Sequence, residues 1–133
     1  MSSVNMKMKE KAYNKQVDIG TLTQGFAQYL QNGGWRVQQS SDGQKALIQA
    51  QKAGIMRDII TADRALTFSF ENAPNGLQVG VGISKWLKNI GIAVVEALIL
   101  SEIFLVVDIP EMLWTEHVEK ELMKELDQRI NLM

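Results

Sequence analysis

The chain carries a single histidine, His117, and no cysteine, so other chemistry must come from carboxylates, lysine amines, guanidinium groups, hydroxyls and amides. Thiolate catalysis, a disulfide framework and any cysteine-based zinc site are thereby excluded. Metal sites and nucleophilic triads need more partners for His117 than Glu116 and Glu121 provide. A solvated imidazole on a helix surface is the expectation. Arg57, Asp58, Asp63 and Arg64 bracket Ile59-Ile60-Thr61-Ala62. Two carboxylates beside two guanidinium groups suit acid–base work, but the same set forms an ion-paired loop more simply. Gly80-Val81-Gly82 echoes a phosphate loop, yet it lies within a strand pattern and lacks a third glycine at the right place. Gln38, Gln39, Gln44, Gln49 and Gln51 read as a neutral sheet surface without the exposed aromatics that single-stranded nucleic acid requires. No catalytic residue, cofactor or metal is therefore expected, and nucleic acid is not an expected partner.

The elements that must position these groups are marked by periodicity and by turn residues. Asp18 precedes Leu22, Phe26, Tyr29 and Leu30 at helical spacing, and Gly33-Gly34 stands where a left-handed cap is wanted, which predicts a helix over Ile19 to Asn32. Trp35 and Val37, then Ser41-Asp42-Gly43, then Ala46, Ile48 and Ala50 in alternation with Lys45, Gln49 and Gln51 predict a hairpin. A second hairpin is predicted from Leu66, Phe68 and Phe70, the turn Asn72-Ala73-Pro74-Asn75-Gly76, and Leu77, Val79, Val81 and Ile83. Its other side is nearly bare: Ala65, Thr67, Ser69, Gly80 and Gly82. Glycine weakens a strand unless something must approach its backbone closely, so a segment is expected to lie across this side. Asp108 and Glu111 at capping-box spacing, with Pro110 between them, open a final helix whose stripe is Trp114, Val118, Leu122, Leu126 and Ile130. Glu116 with Lys120 and Glu125 with Arg129 stand four apart in the favourable order.

Between these elements runs Ile90 to Val107, in which only Gly91, Glu96, Ser101 and Glu102 are not hydrocarbon side chains. Such a length raises a membrane span. Its twelve Leu, Ile, Val and Phe contribute roughly −4 to −7 kcal/mol to insertion, while two central acids cost on the order of +5 to +7 kcal/mol, so a solitary span is not supported. Taken as a helix, it would point Glu96, Glu102 and Asp108 to three different sides, which disfavours lying flat on a bilayer. Burial against protein is the expectation, with Glu96 and Glu102 meeting basic groups such as Arg57, Arg64 or Lys88. A strand over Ile103 to Ile109 is the alternative, because Phe104 to Val107 are strand formers.

With 133 residues, 46% of them hydrophobic and 22% charged, one globular domain is expected, after a flexible segment over residues 1–14. The net charge of −1 divides unevenly: residues 1–89 hold eleven Lys/Arg and six Asp/Glu, a balance of +5, and residues 90–133 hold three and nine, a balance of −6. Opposite halves attract within a fold or between copies. Met1 to Lys11 has lysines without an apolar run, which does not read as a secretory signal.

Lys52-Ala53-Gly54, Arg57, Arg64-Ala65-Leu66 and above all Val79-Gly80-Val81-Gly82-Ile83-Ser84-Lys85-Trp86, followed by the apolar stretch, resemble a family of small uncharacterised prokaryotic α+β domains. Members of that family often sit beside a zinc ribbon, which this chain lacks. The resemblance spans about residues 16 to 110 and implies a domain close to membranes, with no activity or catalytic residues to carry over.

The expected architecture is α+β: a four-stranded antiparallel sheet, an N-terminal helix on one face, and two C-terminal helices, the first strongly hydrophobic. The expected function is a non-enzymatic protein-interaction module, cytoplasmic and homo-oligomeric. It would self-associate through Gly80, Gly82, Trp86, Ile92, Val95, Glu96, Ile99, Glu102, Ile103 and Trp114. The alternative is a membrane-peripheral module at the inner face of a membrane, or one that binds an apolar ligand.

Overall fold

The computed structural model describes residues 8–52, 64–91 and 116–133. Along the chain these form β1 (Met8–Ala12), α1 (Ile19–Asn32), β2 (Arg36–Ser41), β3 (Lys45–Gln51), β4 (Arg64–Ala73), β5 (Gly76–Lys85) and α2 (Glu116–Asn131). The five strands pair antiparallel in the order β1-β5-β4-β3-β2. The fold is α+β, but the expected four-stranded sheet with two C-terminal helices is corrected in two respects. A fifth strand, β1, pairs along β5 from Met8 opposite Gly82 to Ala12 opposite Gln78, within the stretch read from sequence as a flexible segment. Among the described residues one C-terminal helix is present, not two; the strongly hydrophobic stretch beyond Gly91 lies outside them.

Local chemistry explains where the elements begin and end. The Asp18 carboxylate accepts the Thr21 amide at 2.9 Å and caps α1 at its N-terminus. At the other end the Trp35 amide donates to the Leu30 carbonyl and the Gly34 amide to the Gln31 carbonyl, with Gly34 at φ +93°. This pair of bonds is a Schellman closure, for which a left-handed glycine is suited. In the β2–β3 turn Asp42 accepts the amides of Gln44 and Lys45. In the β4–β5 turn Ala73 faces Gly76 across Pro74-Asn75. Gly76 has φ +135°, and a Cβ there would fall 2.0 Å from the Tyr13 carbonyl oxygen. Only glycine lets the chain after β1 close on β5, where Tyr13 donates to Leu77 and Leu77 to Lys15 through the backbone at 2.9 Å.

Strand alternation divides the sheet into a helix face and a far face. On the helix face Ala46, Ile48 and Ala50 of β3, Leu66, Phe68 and Phe70 of β4, and Leu77, Val79 and Val81 of β5 form one core with α1 and α2. The α1 helix contributes Ile19, Leu22, Phe26, Ala27 and Leu30; α2 contributes Leu122, Leu126 and Ile130, three of the five members of its expected stripe. Phe26 meets Phe68 edge to face with ring centroids 5.0 Å apart. Arg129 ties the two helices together, with its Nε 2.8 Å from Glu125 Oε2 and its guanidinium over the Tyr29 ring. Both described helices therefore sit on the same side of the sheet.

Candidate interaction site on the far face

The registers place side chains on the far face in rows. Gln49 of β3 stands opposite Thr67 of β4, and Thr67 opposite Gly82 of β5. One step along, Ser69 stands opposite Gly80, and one step back Ala65 stands opposite Ser84. Apart from Leu47 and, at one end, the facing pair Lys45 and Glu71, the central strands offer small or neutral polar groups here, and Gly80 is buried while Gly82 is half-buried. Neither described helix contributes to this face.

A hydrogen-bond network fills it. Gln49, Thr67 and Ser84 are each 0% exposed. The Gln49 amide nitrogen donates to the Lys85 carbonyl at 2.6 Å, to Ser84 Oγ at 2.9 Å and to Thr67 Oγ1 at 3.3 Å. Its oxygen accepts the Leu87 backbone amide at 3.0 Å and the Gln38 side chain at 2.7 Å. Because a backbone carbonyl only accepts and a backbone amide only donates, Lys85 and Leu87 fix which end of the Gln49 amide is which. The Thr67 and Ser84 hydroxyls share a further bond at 2.5 Å, and Gln38 donates a second time, to the Leu87 carbonyl at 2.8 Å. A buried amide is costly unless satisfied, and here its oxygen and both its hydrogens are engaged.

The consequence is directional. Immediately after β5 the chain turns onto the far face, where Gln49 and Gln38 hold Leu87 and the Trp86 ring lies against the Arg36 guanidinium of β2 at 4.5 Å. Leu87 is thus held on the far face through both its backbone amide and its carbonyl. The groups of this network are amides and hydroxyls, with no acid or base among them. A hydroxyl needs such a neighbour to act as a nucleophile, so the arrangement suits holding backbone rather than moving protons.

Of the ten residues expected to form the interaction surface, three lie among the described residues: Gly80 and Gly82 within β5 on this face, and half-buried Trp86 just beyond β5, against Arg36 of β2. Ile92, Val95, Glu96, Ile99, Glu102, Ile103 and Trp114 lie outside the described residues, as do Arg57, Asp58 and Asp63. Arg64 opens β4 opposite Lys85, and His117 lies in the first turn of α2. The reading of the glutamines as a neutral surface is corrected at Gln49, which is interior. Its neighbour Leu47 carried the signal: an apolar residue in the polar phase of β3 means that the far face is not open water.

Elsewhere the features are of a different kind. Asp127 Oδ1 of α2 accepts from Lys11 Nζ at 3.0 Å and from the Tyr13 hydroxyl at 2.9 Å. Those bonds, from Lys11 first, hold the Asp127 carboxyl below its ordinary range, while Asp127 raises Lys11. Burial, followed by the bond to Asp127, raises Tyr13. A shallow groove of about 480 Å³ runs along α1 and is lined by Thr21, Gln24, Gly25, Gln28, Gln31 and Gln39, with no charged group among them. Among the described residues no cluster of His, Cys, Asp or Glu is placed to hold a metal ion, and no helix is long and apolar enough to cross a membrane. Compared with protein-family models, with curated proteins and with solved structures, the chain matches none.

Proposed function

We propose that this chain is a protein-interaction module without catalytic chemistry, and that it self-associates through the far face of its sheet together with the apolar stretch that follows Gly91. The observation that carries the reading is the asymmetry of the sheet: α1 and α2 share one face, while the other holds the small residues of β4 and β5 and, on Gln49, Leu87 shortly before the apolar stretch. Two glycines there, Gly80 and Gly82, admit a backbone closely. A second copy is the favoured partner because the basic half, +5 over residues 1–89, and the acidic half, −6 over residues 90–133, can attract between copies as well as within one, where Lys11 already meets Asp127. The similarity of the Val79 to Trp86 motif to small prokaryotic α+β domains with no assigned activity is in keeping with a binding role.

Light scattering over a concentration series tests the reading. A reversible shift from monomer to dimer in the micromolar range is the expected result, weakened by Gly80→Val or Gly82→Val. A protein that stays monomeric at high micromolar concentration defeats it, and so do valine variants with unchanged thermal stability and unchanged association.

A further inference from the structure

The sheet ends in two strands of unlike character. Among the described residues neither β1 nor β2 has a strand on its outer side. Charged side chains keep an open edge from pairing with another strand, and β1 carries Lys9, Glu10 and Lys11 in succession. In β2 only the first residue, Arg36, is charged, and the rest reads Val-Gln-Gln-Ser-Ser. The β2 edge is thus the one left open to a partner strand.

The ladder fixes which backbone groups that edge offers. Asp42 donates its amide to the Lys45 carbonyl, and successive residues of an antiparallel strand turn their N–H and C=O groups to opposite sides. Residues 36, 38 and 40 therefore bond to β3, while Val37, Gln39 and Ser41 present theirs outward. Gln39 is exposed, and the shallow groove that it lines with α1 leaves room beside the edge. A second β2 laid antiparallel about Gln39 meets every outward residue with an outward residue: Gln39 with Gln39, and Val37 with Ser41. The same register sets Arg36 opposite Asp42 at each end, both exposed and of opposite charge. Within the described residues Arg36 meets the Trp86 ring and Gln51 Oε1, neither of them an acid, and Asp42 accepts backbone amides of its own turn. Moving the register by two residues either way leaves an outward residue of each copy unpaired and breaks the charge match.

We propose that the outer edge of β2 is a second contact surface, at which two copies of this chain pair β2 with β2 about Gln39 and join their sheets into one. Such pairing lies in the plane of the sheet and uses neither of its faces, so this contact stands or falls apart from the far-face reading.

The chain has no cysteine, so a single introduced thiol reports on the register. Residues opposite each other in a hydrogen-bonded pair lie about 5.5 Å apart at Cα, within disulfide reach. Full-length Gln39→Cys, treated with diamide at micromolar concentration, is expected to run as a covalent dimer on a non-reducing gel. Lys11→Cys, on the exposed and charged β1 edge, is expected to stay monomeric. Adding Arg36→Glu to Gln39→Cys sets like charges opposite each other at both ends and is expected to slow crosslinking about fivefold, less so in molar salt. Adding Gly80→Val is expected to leave the rate unchanged, and Gly82→Val serves if that variant does not fold. No crosslink in Gln39→Cys at high micromolar concentration, or one no faster than in Lys11→Cys, overturns the edge contact and leaves the far-face reading to its own variants. A rate indifferent to Arg36→Glu overturns the register and with it the choice of a second copy. A rate that falls with the valine substitution in a folded chain overturns an edge contact separate from the far face.

Discussion

Phe68 and Thr67 are adjacent in β4 and both are 0% exposed, yet they are buried by different means. Phe68 points to the helix face and meets Phe26 edge to face within a core shared by both helices. Thr67 points the other way and meets Gln49 and Ser84 through hydrogen bonds. On the first side stability grows with the volume of hydrocarbon removed from water, and neighbours can shift to fill a small loss. On the second side it depends on each donor finding its acceptor, and a missing partner leaves another group stranded. The helix face makes the domain stable; the far face specifies where the chain goes after β5.

Substitutions on the two sides should therefore differ in kind as well as in size. The largest effect is expected at Phe68→Ala, about 3–5 kcal/mol in urea unfolding, since a ring at the centre of the core leaves a cavity between α1 and β4. Next comes Gln49→Leu, expected to lose about 2 kcal/mol although leucine is the more hydrophobic residue. The Leu87 amide, the Lys85 carbonyl and the Gln38 side chain would each lose a partner. If Gln49→Leu is neutral or stabilising, the far face is an apolar layer like the other, and the contrast drawn between them is wrong. Thr67→Val keeps the shape and removes one hydroxyl, so a smaller loss of about 1 kcal/mol is expected. A Thr67→Val loss as large as that of Gln49→Leu would instead make the hydroxyl pair the centre of the network.

How far these two faces can be read from sequence differs as well. The α1 helix is legible because its limits are local: Asp18 caps one end, and Gly33-Gly34 closes the other. Both hairpins are legible for the same reason, through Asp42-Gly43 and Pro74-Asn75-Gly76. The helix-face residues of β3, β4 and β5 announce themselves by alternation. By contrast β1 reads Met-Lys-Glu-Lys-Ala, and its charges hide a strand because it pairs by backbone along β5 without a stripe of its own. Gly80 and Gly82 stand out in sequence, but the role of Gln49 does not. Glutamine in the polar phase of a strand is ordinarily wet, and what buries it includes a chain crossing 36 to 38 residues later. That contact is non-local and leaves no periodic trace; Leu47 beside it was the one available hint.

The weakest of the expected effects lies where β1 meets α2, and there the sign can be worked out. Asp127 is held below its ordinary value of 3.8, first by its bond from Lys11 and then by that from Tyr13. A depressed carboxyl contributes stability that is present above the unfolded value and lost as pH falls through the lower folded one. The acid limb of the stability curve should therefore steepen just below about pH 4, and Asp127→Asn should flatten part of it. The side chains of Lys11 and Asp127 are 51% and 37% exposed, so water and salt screen the pair strongly. The change at neutral pH is accordingly expected to fall below that of Thr67→Val and to shrink further in molar salt. Urea unfolding of both proteins from pH 3 to pH 7, at low and high ionic strength, measures this. Should Asp127→Asn at neutral pH cost as much as Gln49→Leu, the anchoring of α2 through β1 would rival the far-face network, and polar specification would extend to both sides of the sheet.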